Sequence, residues 1–85
     1  MAEKSISWSE HALTTVRERN LEPEWVEETV RQPDWSLPDP THPERERRYK
    51  VLPSRDHRIL RAVVVETSAE IRIVTAFLDR KARRP

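Results

Sequence analysis

The fold of this chain is decided by residues 58–78, RILRAVVVETSAEIRIVTAFL. Two runs rich in β-branched residues, 58–66 and 70–78, flank a short polar segment, and this pattern favours two antiparallel strands joined by a tight connection. A third run at 47–52 precedes them, with PSRDH in between. The C-terminal half therefore predicts a three-stranded antiparallel meander.

Continuous alternation along the last two strands predicts their pairing and their faces. It places Val65 opposite Ile71, Val63 opposite Ile73, and Arg61 opposite Thr75. We expect helices to cover the face that carries Ile59, Val63, Val65, Ile71, Ile73 and Phe77. The other face would then expose Leu60, Ala62, Val64, Val74 and Ala76 to a second chain.

The N-terminal half predicts one strand and two helices. KSISW, residues 4–8, alternates as a short edge strand, and Ser9 follows as the N-cap of a helix that ends near Asn20. Pro23 fits the first turn of a second helix, which Pro33 ends. Residues 32–47 contain four prolines and are predicted to form a loop. The predicted architecture is α+β, in the order βααβββ, with two helices on a mostly antiparallel sheet.

Length and composition indicate one small domain, residues 1–85. The chain contains no cysteine, and no run of residues is long and apolar enough for a membrane span or a secretory signal. We therefore expect a cytoplasmic protein that does not associate with membranes. The chain has no glycine, which excludes a glycine-dependent phosphate loop, and no cofactor is predicted.

Charge is divided unevenly along the chain although the formal net charge is only +1. Residues 1–43 hold four Lys or Arg against nine Asp or Glu, whereas residues 44–85 hold twelve against six. A basic half suits phosphate groups, and arginine in particular forms paired hydrogen bonds to them. A solvated surface with no ligand explains the same division.

His11 and Arg61 are the first candidates for chemistry. The positive end of a helix disfavours a protonated imidazole, so His11 would be a neutral ring that accepts a proton or contacts a phosphate. Arg61, beneath the helices, needs a phosphate or a local carboxylate or carbonyl as its partner. Alternatively, His11 ties helix to sheet and Arg61 is satisfied locally. No metal site is expected, because His11, His42 and His57 lack ligand spacing.

The basic strand RERRYK and the C-terminal tail are the next candidates. Tyr49 would stack on a base, while phosphate contacts are predicted for Arg47, Arg48, Lys50, Arg80, Arg83 and Arg84. The alternatives are that the charged strand protects a sheet edge and that residues 80–85 are simply a flexible tail.

The order of elements, with SEHA at 9–12, RNLEPEWVEETVRQP at 19–33 and VTAF at 74–77, resembles a small family of unknown function in the RelE/ParE/BrnT-like toxin superfamily. The resemblance covers nearly the whole chain. It implies a RelE-like sheet and cleavage of RNA without a metal, by attack of a ribose 2′-hydroxyl on the adjacent phosphate. His11, Arg19 and Thr75 match its short motifs, but Thr15 and Asn20 replace a frequent arginine and a usual glycine.

Two functions are therefore open. The first is a toxin-like domain that binds or cleaves RNA, in which His11, Arg61 and Tyr49 act on RNA and Arg19 and Thr75 support them. A cognate antitoxin would then be a partner. The second is a non-catalytic interaction module that associates with itself or with another protein through the sheet.

Overall fold

The structure is a computed structural model that describes residues 4–85. Two helices pack on one face of a five-stranded mixed sheet. In chain order the elements are β1 (Ser5–Trp8), α1 (Glu10–Glu18), α2 (Pro23–Arg31), β2 (Trp35–Pro38), β3 (Glu46–Leu52), β4 (Arg58–Glu66) and β5 (Glu70–Leu78). A 3₁₀ turn, Pro53–Arg55, joins β3 to β4. The strands lie in the order β1-β5-β4-β3-β2, with β1 parallel to β5 and the other neighbours antiparallel.

The α+β class and both helices are as predicted, but the sheet has a fifth strand. The prediction of a loop over residues 32–47 is wrong at β2, which pairs with β3 so that Trp35 lies opposite Tyr49. Proline is tolerated here because β2 is an edge strand and Pro38 is its last residue. The element order is therefore βααββββ.

Local signals at the helix ends are confirmed. The Ser9 side chain accepts a hydrogen bond from Ala12 N at 3.0 Å and donates one to the Val74 carbonyl at 2.8 Å. Ser9 thus caps α1 and also ties the helix to β5. Asn20, just after α1, has φ 54°, a left-handed conformation that asparagine accepts. Pro23 lies in the first turn of α2.

The pairing of β4 with β5 differs from the prediction because β5 contains a bulge. Val63 lies opposite Thr75 and Val64 lies opposite Ile73, so Val74 has no partner on β4. Past the bulge the register is shifted, and Arg61 lies opposite Phe77 rather than Thr75. The extra residue reverses which side chains of β5 face the helices.

The predicted assignment of faces is therefore wrong for all of β4 and for the end of β5. Buried against α1 and α2 are Leu60, Ala62, Val64 and Ala76, together with Ile71 and Ile73, which precede the bulge and were placed correctly. Arg61 and Phe77 lie on the face away from the helices, which we call the second face. The apolar surface that suggested association through the sheet is thus the core of a single chain, and self-association itself stays a prediction.

Within residues 4–85, neither helix is long and apolar enough to cross a membrane.

Candidate anion-binding site

Arg61 and Tyr49 are neighbours on the second face, directly opposite each other on β4 and β3. Arg61 Nη1 donates to Asp79 Oδ2 at 3.1 Å, and its guanidinium lies 4.4 Å from the centre of the Phe77 ring. A carboxylate and an aromatic face therefore hold Arg61 in place. Thr75 is on the same face but lies opposite Val63.

The ring of Tyr49 is covered by a second aromatic side chain. Tyr49 is 4% exposed and stacks on Trp35, with 5.0 Å between ring centres and 8° between planes. Arg84 lies 6.0 Å from the Trp35 ring centre and donates from Nη2 to the Asp34 carbonyl at 3.3 Å. A base reaches the Tyr49 ring only if Trp35 moves. The tail extends as far as β2, and its flexibility stays a prediction.

On the face covered by helices, Arg48 is surrounded by acceptors. It donates to the carbonyl of Val30 at 2.8 Å and to the carboxylates of Glu46 and Glu66. Burial acts to lower the pKa of Arg48, but the two carboxylates outweigh burial and raise it. Hydrogen bonds from Lys4 and Arg48 lower the pKa of Glu66. Arg48 is thus a structural cation in the described fold.

Lys50 and Arg47 also have carboxylate partners. Lys50 donates to the Gln32 carbonyl at 2.9 Å, with Glu28 at 3.9 Å and Asp34 at 4.0 Å. Arg47 lies 3.5 Å from Asp39. The backbone N–H of Thr41 is the largest cause of a lowered pKa at Asp39, with His42 N–H and Arg47 contributing in the same direction. The basic strand is therefore largely neutralised by the chain itself.

His11 is separated from Arg61 and Tyr49 by the sheet. It is exposed in the first turn of α1, and its Nε2 lies 3.5 Å from Thr15 Oγ1 in the next turn. Because α1 packs on the helix-covered face and Arg61 lies on the second face, the three residues predicted to act on RNA are not brought together.

A different group of basic side chains does converge. Arg19, Arg55, Arg58 and Arg80 line a cleft of about 300 Å³ together with Leu78, and we call this the arginine cleft. The topology explains the convergence. β4 and β5 are antiparallel neighbours, so the start of β4 lies beside the end of β5, where Arg80 follows. Arg55 lies in the 3₁₀ turn before β4, and Arg19 is the C-cap residue that follows α1, which packs on β5.

The arginine cleft differs from the basic strand in that none of the carboxylates in residues 4–85 lines its wall. Among residues 4–85, none of its four arginines forms an ion pair, whereas Arg47, Arg48, Lys50 and Arg61 all do. Arg55 makes a cation–π contact with Trp25, 5.4 Å from the ring centre. Four guanidinium groups around one opening repel each other, and a bound anion would relieve that repulsion.

A smaller cavity of about 240 Å³ adjoins the arginine cleft and shares Arg58, Leu78 and Arg80 with it. Asp56, His57 and Asp79 also line this cavity, and Asp56 and His57 have positive φ, 54° and 59°. These two residues turn the chain into β4 directly before Arg58. His57 therefore lies near the arginine cleft although the sequence analysis gave it no role.

The structure brings together Arg80, which was predicted to contact phosphate, Arg19, which was predicted only to support the site, and two residues that were missed, Arg55 and Arg58. The missed signal was the connection PSRDHR, residues 53–58. Once β4 and β5 are paired, this connection must lie beside the residues that follow β5. No group of three or more His, Asp or Glu within the described chain is arranged to hold a metal ion.

Comparison with known proteins places the chain in a family. The model of the domain of unknown function DUF4258 matches residues 8–78. This range begins at the last residue of β1 and includes both helices and the other four strands. Comparisons with curated proteins and with solved structures gave no match. Because the family match covers most of the chain, the protein belongs to the DUF4258 family.

Proposed function

We propose that this domain binds RNA by holding phosphate in the arginine cleft. The observation that carries the proposal is the convergence of Arg19, Arg55, Arg58 and Arg80 on one opening without a carboxylate in its wall. Guanidinium groups donate paired hydrogen bonds to phosphate oxygens, and each unpaired arginine adds to the attraction for a polyanion. The resemblance to toxins that act on RNA supports RNA as the polyanion.

The exposed tail supports a longer contact with RNA. Lys81 and Arg83 come one and three residues after Arg80, are exposed, and form no ion pair within residues 4–85. They would contact nucleotides that leave the arginine cleft. Such contacts are independent of base sequence, because phosphate groups are the same along the strand.

Binding has stronger support than cleavage. The arginine cleft is lined by arginines and a leucine, none of which is a general base at neutral pH. His11, the predicted base, precedes Arg19 by eight residues, roughly 12 Å along a helix at ~1.5 Å per residue. Cleavage with His11 as the base, and a toxin role, therefore remain hypotheses. They predict that expression arrests growth and that His11→Ala relieves the arrest without weakening RNA binding.

The test is a fluorescence anisotropy titration of a labelled single-stranded RNA at several salt concentrations. Each phosphate contact contributes about −0.7 to the slope of log affinity against log salt, so two or three contacts at the arginine cleft give a slope near −2. The double variant Arg58→Gln, Arg80→Gln should bind at least about tenfold more weakly.

The matched control is Arg72→Gln, because Arg72 is exposed near the start of β5, at the opposite end of that strand from Arg80. It removes one charge but should leave affinity within about twofold, since single distant charges are screened. Undetectable binding, or binding that does not depend on salt, would contradict the proposed function.

A protein-interaction role is the second candidate, and an exposed apolar cleft favours it. Trp8, Leu13, Val16, Leu21 and Pro23 line a cleft of about 420 Å³, and Leu13 is 48% exposed. A second copy of the chain is the occupant to test. Light scattering should then give a mass that rises with concentration, and Leu13→Gln should abolish the rise. A constant monomer mass would exclude self-association through this cleft and leave only a partner of another kind.

A further inference from the structure

We infer that the arginine cleft recognises a terminal phosphate monoester rather than an internal phosphodiester. The inference rests on the proposed function, since it names which phosphate of an RNA the cleft takes. It has three supports: the charge of the cleft, its shape, and the fixed position of one of its arginines.

The positive charge of the arginine cleft favours a phosphate monoester. Four arginines line one opening, and among residues 4–85 no carboxylate shares its wall, since Asp56 and Asp79 line only the adjoining cavity. An internal phosphodiester brings one negative charge, whereas a terminal monoester carries about −1.5 to −2 at neutral pH and offers three acceptor oxygens. The terminal group therefore offsets more of the repulsion between the arginines and accepts more of their hydrogen bonds.

Shape is the second step. Proteins that follow a single strand use an extended basic groove with exposed aromatic rings between the cations. The strand that would supply such a groove here, β3, has its cations Arg47, Arg48 and Lys50 paired to carboxylates. Tyr49, between them, is covered by Trp35. Four arginines that form no ion pair among residues 4–85 instead line a single cleft of about 300 Å³, which suits one strongly charged group.

Preorganisation is the third step. The contact with Trp25 fixes the guanidinium of Arg55, so less freedom is lost when it binds an anion. Leu78 forms the apolar part of the wall, and a wall of low polarity strengthens hydrogen bonds and charge interactions beside it. A phosphate in the cleft would thus meet one arginine that is already held in place.

The experiment compares one ten-nucleotide RNA in three forms: 5′-phosphorylated, 3′-phosphorylated, and with hydroxyls at both ends. An internal fluorophore leaves both ends free. We expect at least one phosphorylated form to bind about tenfold or more tightly than the hydroxyl form, the effect of a further charged hydrogen bond. The preference should vanish in Arg58→Gln, Arg80→Gln and persist in Arg72→Gln.

The outcomes separate the inference from the proposed function. Equal affinity for all three RNAs, weakened alike by the double variant, would overturn terminal recognition and leave RNA binding in place. Absence of binding to every RNA would overturn the proposed function.

A further arm uses ATP and inorganic pyrophosphate as competitors. Displacement of phosphorylated RNA by either supports recognition of a terminal phosphate in the cleft. If ATP binds and none of the three RNAs binds, the arginine cleft recognises the phosphate groups of free nucleotides, and the assignment to RNA is wrong.

Discussion

Replacement of Arg48 by methionine should destabilise the domain while leaving RNA affinity intact. The side chain is 12% exposed and makes three contacts, to the Val30 carbonyl and to the carboxylates of Glu46 and Glu66. Methionine keeps an apolar stem of similar length, so the change removes these contacts with little loss of packing. Arg48→Met thus tests whether this arginine is structural or contacts phosphate.

The magnitude follows from the three contacts. A charged donor to a carbonyl contributes about 1.5–3 kcal/mol, and its loss leaves the Val30 carbonyl without that donor. Glu46 and Glu66 are 43% and 35% exposed, so each ion pair contributes only about 0.2–1 kcal/mol. Together these contributions lower the free energy of unfolding by about 2–5 kcal/mol. For a domain of this size that corresponds to a Tm lower by at least roughly 8 °C.

Thermal unfolding followed by circular dichroism measures the first effect, and anisotropy with the same RNA at 10 °C measures the second. Arg72→Met is the matched control and should change the free energy of unfolding by less than about 0.5 kcal/mol. A fall in Tm of under about 3 °C for Arg48→Met would show that the contacts to Val30 and the two carboxylates are not stabilising. A loss of RNA affinity equal to that of the arginine-cleft variant would return Arg48 to the RNA-binding surface.

Three further predictions concern stability. The pKa of Asp39 is lowered in the folded state, so its contribution is present above its unfolded pKa of about 4 and is lost as pH falls further. When the pH is lowered from about 5 to 2, the free energy of unfolding, measured by urea titration, should therefore fall less for Asp39→Asn than for the unmodified protein. Val64→Ala, in the core, should lower the free energy of unfolding by about 1.5–3 kcal/mol, whereas Val65→Ala, half-buried on the second face, should lower it by under about 1 kcal/mol. If urea unfolding shows a larger loss for Val65→Ala than for Val64→Ala, the bulged register is wrong. Asn20→Gly should raise Tm by one or two degrees, because glycine suits φ 54° better, and a lower Tm would refute this.

Strand positions were predictable because their signal is local. β4 and β5 begin and end at the predicted residues, since β-branched runs and polar breaks mark them in the sequence itself. The faces of these strands were not predictable. One unpaired residue, Val74, reverses the alternation, and nothing in VTAF marks it. Its carbonyl accepts a hydrogen bond from Ser9, 65 residues earlier in the chain, so the bulge is coupled to the cap of α1.

The edge strand β2 was missed for a related reason. Its four residues, WSLP, end in proline and are surrounded by more prolines, so local propensity argues against a strand. Tertiary contacts nevertheless hold it as a strand, because Trp35 lies opposite Tyr49 and stacks on it. Asp34, just before β2, also joins β3: its carboxylate accepts a hydrogen bond from Val51 N, and its backbone N–H donates one to the Tyr49 carbonyl. The aromatic stacking and the hydrogen bonds of Asp34 together hold β2 at the edge of the sheet.

The fold determines which arginines are available to a ligand, because it decides which of them are paired with carboxylates. Arg48 and Glu66 are 18 residues apart, as are Arg61 and Asp79, so their pairing depends on strand register and is invisible to a count of charges along the chain. Once such pairs are removed, the remaining positive charge of residues 44–85 lies in the arginine cleft, in the adjoining tail and at Arg72, with Arg19 added to the cleft from the acidic half. The same topology that neutralises the basic strand thus gathers four unpaired guanidinium groups where the ends of α1 and β5 meet the turn into β4.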